Sequence, residues 1–213
     1  MNLADRVNPK QCLLLVVDVQ NDFCHPEGSM SKAGQDLSMV GEIMPHLSVL
    51  LEAARRIELP VIFTQAIHSS WTDSEAWSTR LHGVDLDLPR HCREGSWGAE
   101  LYEVTPGEGE RVLVKRRFSA FYGTDLDVML RARGIKSLIL AGVATNICVE
   151  TTARDAFMHD YQVVFLSDCT AAYSREEHHA TLVNMSKYFG LVATSGEVTT
   201  AWRALPAARP AGK

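Results

Sequence analysis

Short apolar runs alternate along this chain with longer segments whose apolar residues recur every three or four positions. Continuous apolar runs are typical of parallel strands that are buried on both faces. Apolar residues at the wider spacing are typical of helices that pack one face against a sheet. The alternation therefore predicts an α/β fold, in which a doubly wound, mostly parallel sheet of six strands carries helices on both faces.

The predicted elements follow this pattern from the first apolar run to the last. The predicted strands are Cys12–Val17, 61–64, Arg111–Lys115, Ser137–Val143, 162–167 and 191–194. The predicted helices are 40–59, 125–133, a helix that begins just before Cys148, and a helix from a capping box at 174–177 to about 188. Residues 20–31 and 68–93 show no clear period, which predicts loops, the second with at most one short helix. We expect one domain over residues 1–213, with its core at about 12–203 and a frayed tail from Leu205.

Composition and charge limit the classes of partner. The chain of 213 residues is 46% hydrophobic, which is enough to bury one substantial core. Its net charge of −5 and its scattered basic residues argue against nucleic acid, so we expect a small-molecule partner. The first residues lack a signal-peptide pattern and no apolar run approaches the ~18 residues that cross a bilayer, so we expect a cytoplasmic protein without a membrane contact. Five cysteines without a C-x-x-C pair suit a reducing compartment.

One cysteine lies where a predicted strand turns into a predicted helix. The strand Ser137–Val143 is followed by a small polar turn and then by Cys148. If Thr145 or Asn146 caps the helix, Cys148 lies in its first turn, where unpaired N–H groups and the helix dipole favour negative charge. This placement favours a thiolate.

Two further reactive groups stand at the carboxyl ends of predicted strands. Asp18 follows the first strand and Lys115 ends the third, and the ends of parallel strands share one edge of a sheet. Lys115 and the helix start would lower the pKa of Cys148, while Asp18 would take the thiol proton and return it to a leaving nitrogen. The backbone N–H groups of Ala144 and Cys148 form the predicted oxyanion hole. The alternative from position alone is a packed cysteine, a turn-forming aspartate and an ordinary strand-end lysine.

Three motifs carry a resemblance to a known family. They are D-x-Q-x-x-F at residues 18–23, K-x-x-x-S-A-F at 115–121 and G-x-x-x-x-x-C-V at 142–149. In this order they resemble the motifs of the isochorismatase-like cysteine hydrolases, and the likeness spans residues 12 to about 195. The resemblance implies Asp18 as general acid/base, Lys115 as electrostatic stabiliser and Cys148 as nucleophile. It also implies a cis peptide bond before Ala144 and self-association as a dimer or tetramer.

Departures from the family motifs narrow the expected chemistry. Nicotinamidase members bind a metal through D-x-H after the second strand, but residues 66–68 read Ala-Ile-His, so we expect no metal and no other cofactor. His68, His82 and His91 are either a remnant ligand set or surface and loop histidines. Members that hydrolyse the vinyl ether of isochorismate usually lack the cysteine, so Cys148 favours amide chemistry.

The resulting prediction is a cysteine amidohydrolase that cleaves a small linear amide, ureide or N-carbamoyl compound through a thioester and releases ammonia. Four alternatives stay open. They are a biuret- or triuret-type amidase, a nicotinamidase-like amidase, an isochorismatase-type ether hydrolase, and a non-catalytic binding or scaffold protein of the same fold.

Substrate contacts are predicted from side-chain parity and from aromatic residues near the motifs. If the third strand continues, Arg117 projects on the same face as Lys115, and its planar guanidinium suits a carboxylate or a ureido carbonyl. The alternative is that Arg117 pairs with Asp125 or Asp127. The candidate cavity walls are Phe23, Trp71, Phe121 and Tyr122, and the alternative for each is packing in the core.

Overall fold

A computed structural model describes residues 2–80 and 91–204, and its central feature is a six-stranded sheet. The strands are β1 (Cys12–Val17), β2 (Val61–Ala66), β3 (Arg111–Lys115), β4 (Ser137–Val143), β5 (Gln162–Ala171) and β6 (Leu191–Ala193). They lie in the order β3-β2-β1-β4-β5-β6, and every neighbouring pair is parallel. The predicted α/β class and parallel sheet are confirmed.

Helices connect the strands on both sides of the sheet. They are α1 (Leu3–Arg6), α2 (Asn21–Cys24), α3 (Ser29–Lys32), α4 (Ser38–Arg56), α5 (Glu75–Ser78), α6 (Leu126–Ala132), α7 (Glu150–Met158), α8 (Arg175–Asn184) and α9 (Ser195–Arg203). Two π-helical turns, Thr145–Val149 and Met185–Phe189, and a 3₁₀ turn, Trp97–Ala99, complete the described elements. None of the helices within residues 2–80 and 91–204 is both long and apolar enough to span a bilayer.

The two faces of the sheet bury two separate cores. Every side chain of β1 is buried, and successive residues of a strand point to opposite faces. Leu14 and Val16 pack beneath α4 and α9, whereas Leu13 and Leu15 pack beneath α6 and α7. This is why an uninterrupted apolar run, rather than an alternating one, marks the central strand.

The fifth strand runs further than its apolar pattern predicts. It continues to Ala171, because Thr170 and Ala171 pair with Gly142 and Val143 of β4 after a shift in register. Asp168, the expected strand end, therefore lies within the strand. Its carboxylate accepts hydrogen bonds from the backbone N–H and the hydroxyl of Ser195, each at 2.7 Å, at the start of α9.

The sequence pattern did not predict α9. Thr194, expected to end the last strand, is instead the N-cap of this helix and forms a capping box with Glu197. Trp202 packs in the core beneath the sheet, and its indole N–H donates to the carbonyl of Val7 at 2.8 Å. This helix therefore contacts the segment around Val7, near the other end of the chain.

The two predicted loops contain short helices. Residues 20–31 include α2 and α3, and the region after β2 includes α5, which the Ser74 side chain caps. Part of the second loop, 81–90, and the predicted frayed tail from Leu205 lie outside the described residues.

The sheet order places a crevice between β1 and β4. The chain proceeds from β1 to β2 and β3 on one side and then returns to β4 on the other, so connections leave the two central strands in opposite directions. Gly142 near the end of β4 has φ of 114°, and a Cβ there would lie 2.0 Å from the Val17 carbonyl oxygen. Only glycine lets the two strands approach this closely at the edge that holds the site.

Candidate active site

A buried ion pair joins the ends of β1 and β3. Lys115 Nζ lies 2.6 Å from Asp18 Oδ2, and both side chains are fully buried. The Thr64 hydroxyl in β2, which lies between these strands in the sheet, donates to Asp18 Oδ1 at 2.6 Å. Because a buried charge without a partner is strongly unfavourable, each member of the pair holds the other in place.

The backbone after β1 turns sharply to present this carboxylate. Asp18 has φ of 51°, a left-handed conformation that aspartate tolerates better than most residues. Its N–H donates to the Thr64 carbonyl and hydroxyl oxygens at 3.3 and 3.2 Å. The Gln20 side chain then ties the following turn to β2 by bonding both the N–H and the carbonyl of Ala66, at 2.8 and 3.0 Å. Thr64 was missed by the sequence reasoning, although a hydroxyl inside an apolar strand was a visible signal.

Cys148 completes the arrangement predicted from the strand ends. It lies in the π-helical turn Thr145–Val149, directly after β4, and its thiol is close enough to Asp18 and Lys115 for both to shift its pKa. Residues that are far apart in the sequence therefore converge at one edge of the sheet.

The expected resting thiolate is wrong. Burial raises the pKa of the Cys148 thiol to about 12; Lys115 lowers it and Asp18 raises it further. The electrostatic help of one ammonium does not outweigh the loss of water and the adjacent carboxylate. The resting side chain of Cys148 is a thiol beside the Asp18 carboxylate, which can accept its proton.

Lys115 stays protonated in this environment. Burial by itself would lower its pKa, but Asp18 and Cys148 raise it on balance. Its ammonium also donates to the Arg117 carbonyl at 2.9 Å, so three neighbours orient the charge.

The turn before Cys148 differs in detail from the expected helix cap. Ala144 occupies the N-cap position, and neither Thr145 nor Asn146 provides a side-chain cap. Thr145 Oγ1 instead lies 2.9 Å from His178 Nδ1 on α8. The peptide bond Val143-Ala144 is cis, which confirms what the resemblance implies.

A cavity of about 190 Å³ opens above the thiol. Its walls combine the reactive residues with apolar and aromatic side chains. The apolar part comprises Phe23, Met30, Trp77, Phe118, Ile147 and Tyr173. Cys148 and Lys115 therefore face a space that suits a small molecule.

Three of the predicted walls do not reach this cavity. Trp71 is 96% exposed and Tyr122 is 68% exposed, so in this chain both point into solvent. Phe121 is buried, but it stacks on His159 at 5.0 Å between ring centroids and packs in the core under α7. Of the predicted aromatic walls, only Phe23 lines the cavity in the described structure. Two aromatic residues that were not predicted, Trp77 and Phe118, also line it.

Arg117 reaches the cavity, although not for the predicted reason. Because β3 ends at Lys115, strand parity does not determine where Arg117 points. Its guanidinium donates to the carbonyls of Thr72 and Arg116 at 3.2 and 2.7 Å. Among the described residues Arg117 forms no ion pair with Asp125 or Asp127, the alternative partners, and Asp127 is bound instead by Arg131 at 2.9 Å.

Two of the candidate metal histidines, His68 and His91, are buried rather than exposed on the surface. His68 lines the cavity; its Nδ1 has no partner within the described chain, and burial lowers its pKa to about 4. His91 Nδ1 contacts the Ser29 hydroxyl, and His82 lies outside the described residues. Within residues 2–80 and 91–204 no three His, Cys, Asp or Glu side chains are grouped to hold a metal ion. The absence of a metal stays a prediction, and His68 is a neutral ring at physiological pH.

Seven polar or aromatic residues at the cavity were not predicted as part of the site. They are Gln35, Trp77, Arg80, Phe118, Asn146, Tyr173 and Glu177. Trp77 and Arg80 belong to the aperiodic region after β2, where no pattern shows which side chains turn inward. Asn146 lies inside the motif around Cys148, and its Oδ1 is buried without a hydrogen-bond partner in the described structure.

Comparison with known proteins gives consistent matches over almost the whole chain. The Isochorismatase domain family matches residues 12–197. Ureidoacrylate amidohydrolase RutB of Methylobacterium radiotolerans is 34% identical over 220 residues, which cover 97% of this chain and 84% of that protein. A cysteine hydrolase from Pseudomonas syringae pv. phaseolicola 1448A superposes with a TM-score of 0.83 at 27% identity, covering 93% of this chain and 95% of its own. N-carbamoylsarcosine amidase from Thermoplasma acidophilum superposes with a TM-score of 0.70 at 28% sequence identity. This match covers 87% of this chain and 96% of that protein's chain.

Proposed function

Because this chain belongs to the isochorismatase-like hydrolase family, we propose that it is a cysteine-dependent amidohydrolase, with Cys148 as nucleophile, Asp18 as general acid/base and Lys115 as electrostatic stabiliser. Its relatives mark it as a hydrolase of carbon–nitrogen bonds other than peptide bonds. The observation that carries the proposed mechanism is the buried pair of Asp18 and Lys115, 2.6 Å apart and in contact with a thiol that lines a cavity.

The first half of the proposed reaction forms a thioester. The Cys148 thiol gives its proton to the Asp18 carboxylate as the sulfur attacks the carbonyl carbon of the substrate. The carbonyl oxygen becomes an oxyanion, which the N–H groups of Ala144 and Cys148 receive. When the carbon–nitrogen bond breaks, the leaving nitrogen takes the proton from Asp18 and departs as ammonia.

The second half returns the enzyme to its resting state. Water gives a proton to Asp18 and attacks the thioester carbon; the carbon–sulfur bond then breaks, and the sulfur recovers the proton. The products are ammonia and an acid, which for a ureide is an N-substituted carbamate. Lys115 remains charged throughout and offsets the negative charge that forms beside it. Neither half-reaction calls for metal-bound water.

We propose a small ureide or N-carbamoyl compound as the substrate class. The cavity of about 190 Å³ suits a molecule of that size. The buried Oδ1 of Asn146 has no donor within residues 2–80 and 91–204, and a ureido group supplies several N–H donors in one plane. Two relatives carry names that specify ureidoacrylate and N-carbamoylsarcosine, both of which contain this group. All five cysteines are free thiols, which supports work in a reducing compartment such as the cytoplasm.

The test is ammonia release from a panel of ureides and N-carbamoyl acids by the full chain and by Cys148→Ala. We expect the substitution to lower kcat by at least about a thousandfold, because the covalent route is lost. The matched control is Cys12→Ala, which removes a buried thiol from β1 outside the cavity and should keep its activity. Turnover should also survive exhaustive chelation. Undiminished turnover by Cys148→Ala, or binding of the panel without any turnover by the full chain, would contradict the proposal.

A further inference from the structure

Two guanidinium groups share one aromatic support at the wall of the cavity. Arg80 Cζ lies 3.6 Å from the centroid of the Trp77 ring, and Arg117 Cζ lies 4.9 Å from the same ring. Arg80 is also 5.5 Å from the ring of Phe118. Aromatic faces attract guanidinium groups and hold their planes in a defined orientation. Both cations are therefore positioned by the fold.

Backbone carbonyls hold these two cations without neutralising them. Arg80 donates to the Trp77 carbonyl, and Arg117 donates to the carbonyls of Thr72 and Arg116. Within residues 2–80 and 91–204 neither guanidinium forms an ion pair with a carboxylate. The Nε–H of Arg80 is buried and has no acceptor in that part of the chain.

The other charged groups nearby do not neutralise the two guanidinium groups. Asp73, which raises the pKa of Arg80, is bound to Arg93 at 2.5 Å. Glu177 also lines the cavity, but it is exposed and forms no ion pair with either guanidinium in the described part of the chain. His68, beside Trp77, is neutral near pH 7 because burial lowers its pKa to about 4. Two like charges next to each other in a partly buried cavity repel, and a bound anion would relieve this repulsion.

We propose that Arg80 and Arg117, held on Trp77, form a subsite for the carboxylate of the substrate, with Arg80 as a specificity-determining residue. The inference rests on the proposed function, since it concerns the carboxylate of the same ureide whose carbonyl carbon Cys148 attacks. The substrate class becomes ureido or N-carbamoyl acids whose carboxylate is a short linker away from the carbonyl attacked by Cys148. The planar forks of two arginines match a planar carboxylate, so the acid is favoured over its neutral derivatives.

The experiment compares 3-ureidopropionate with its methyl ester, which keeps the ureido group and the linker but replaces the carboxylate by a neutral, slightly larger group. In the full chain, kcat/KM for the acid should exceed that for the ester by at least about thirtyfold. Arg80→Gln should remove most of this preference by raising KM for the acid, while kcat/KM for the ester changes less than about threefold. Arg80→Lys, which keeps the charge but loses the fork, should give an intermediate preference.

The matched control is Arg116→Gln, which removes a neighbouring guanidinium that binds the Ile67 carbonyl and does not line the cavity. This variant should keep the preference for the acid. Equal losses for acid and ester in Arg80→Gln, or an unchanged preference, would overturn the assignment. A phosphonate analogue, 2-ureidoethylphosphonate, that is turned over better than the acid would overturn the choice of a carboxylate.

A binding measurement separates this inference from the proposed function. In Cys148→Ser, calorimetric titration of 3-ureidopropionate reports on the subsite without any turnover. Adding Arg80→Gln should weaken this binding at least about tenfold, even if the full chain releases no ammonia from any ureide. If turnover depends on Cys148 but Arg80→Gln leaves both binding and preference unchanged, the subsite is wrong and the proposed function stands.

Discussion

Cys148 shows how strongly the surroundings of one side chain determine its chemistry. A cysteine close to a lysine and a helix start is expected to ionise readily. In the folded chain, burial raises the pKa of its thiol to about 12, with Lys115 opposing and Asp18 adding to the shift. In the proposed mechanism the nucleophile is therefore generated during the reaction, when Asp18 accepts the proton.

We expect the pH dependence of alkylation to report this raised pKa. The thiolate reacts with iodoacetamide, and below the pKa its fraction rises about tenfold per pH unit. The rate at Cys148 should therefore climb from pH 7 to pH 9 without levelling off. Peptide mapping should show slower labelling of the other cysteines, which are buried and do not line the cavity. A plateau below pH 8 would show that the resting group is a thiolate.

At the scale of elements, side chains of α8 contact the turn that carries Cys148 and the start of the following helix. Thr145 Oγ1 lies 2.9 Å from His178 Nδ1, and the Thr181 hydroxyl donates to Glu150 at the start of α7 at 2.6 Å. His178 is half-buried; burial lowers its pKa, and a hydrogen bond with the Ser167 backbone opposes this shift. A neutral imidazole can therefore serve as a fixed hydrogen-bonding link between helix and turn.

A double-mutant cycle of Thr145→Val and His178→Leu tests this link. We expect a coupling of about 0.5–1.5 kcal/mol in the free energy of unfolding, measured with urea. We also expect Thr145→Val to lower kcat about tenfold, since a small displacement of the nucleophile is costly. The exposed pair of Glu52 and Arg56 on α4 is the control and should couple by about 0.3–0.5 kcal/mol. A coupling no larger than the control would mean that α8 does not position the turn.

At the scale of the whole molecule, one edge of the sheet is not covered by the described chain. β3 is the last strand on its side, and it exposes Val112 and Val114 by 42% and 41%. Exposed apolar side chains on an edge strand favour association with another surface. We propose that the chain self-associates through this edge as a dimer or tetramer.

Sedimentation equilibrium should give a multiple of the chain mass at micromolar concentration. Val112→Lys or Val114→Lys should shift the chain towards the monomer, because a charge at the edge opposes burial. Val128→Lys on α6, which replaces a side chain that is 68% exposed and does not belong to β3, is the control and should keep the oligomer. A wild-type chain that sediments as a monomer would contradict the proposal.

The sequence alone was sufficient for the succession of the six strands along the chain and for the positions of Asp18, Lys115 and Cys148 at strand ends. Apolar runs mark strands that are buried on both faces, and the carboxyl ends of parallel strands must share one edge. Asp18, Lys115 and Cys148 each lie at or just after such an end, so their convergence follows from the strand pattern.

Only the tertiary structure decided which side chains face the cavity and how the thiol behaves. Phe121 packs on His159 rather than on a ligand, while Arg80 reaches the cavity from a region without any period. Directions of loop side chains depend on contacts with residues far away in the sequence, which a local pattern does not contain. The pKa of Cys148 likewise depends on how completely the surrounding elements exclude water, and that exclusion exists only once the sheet and its helices have packed.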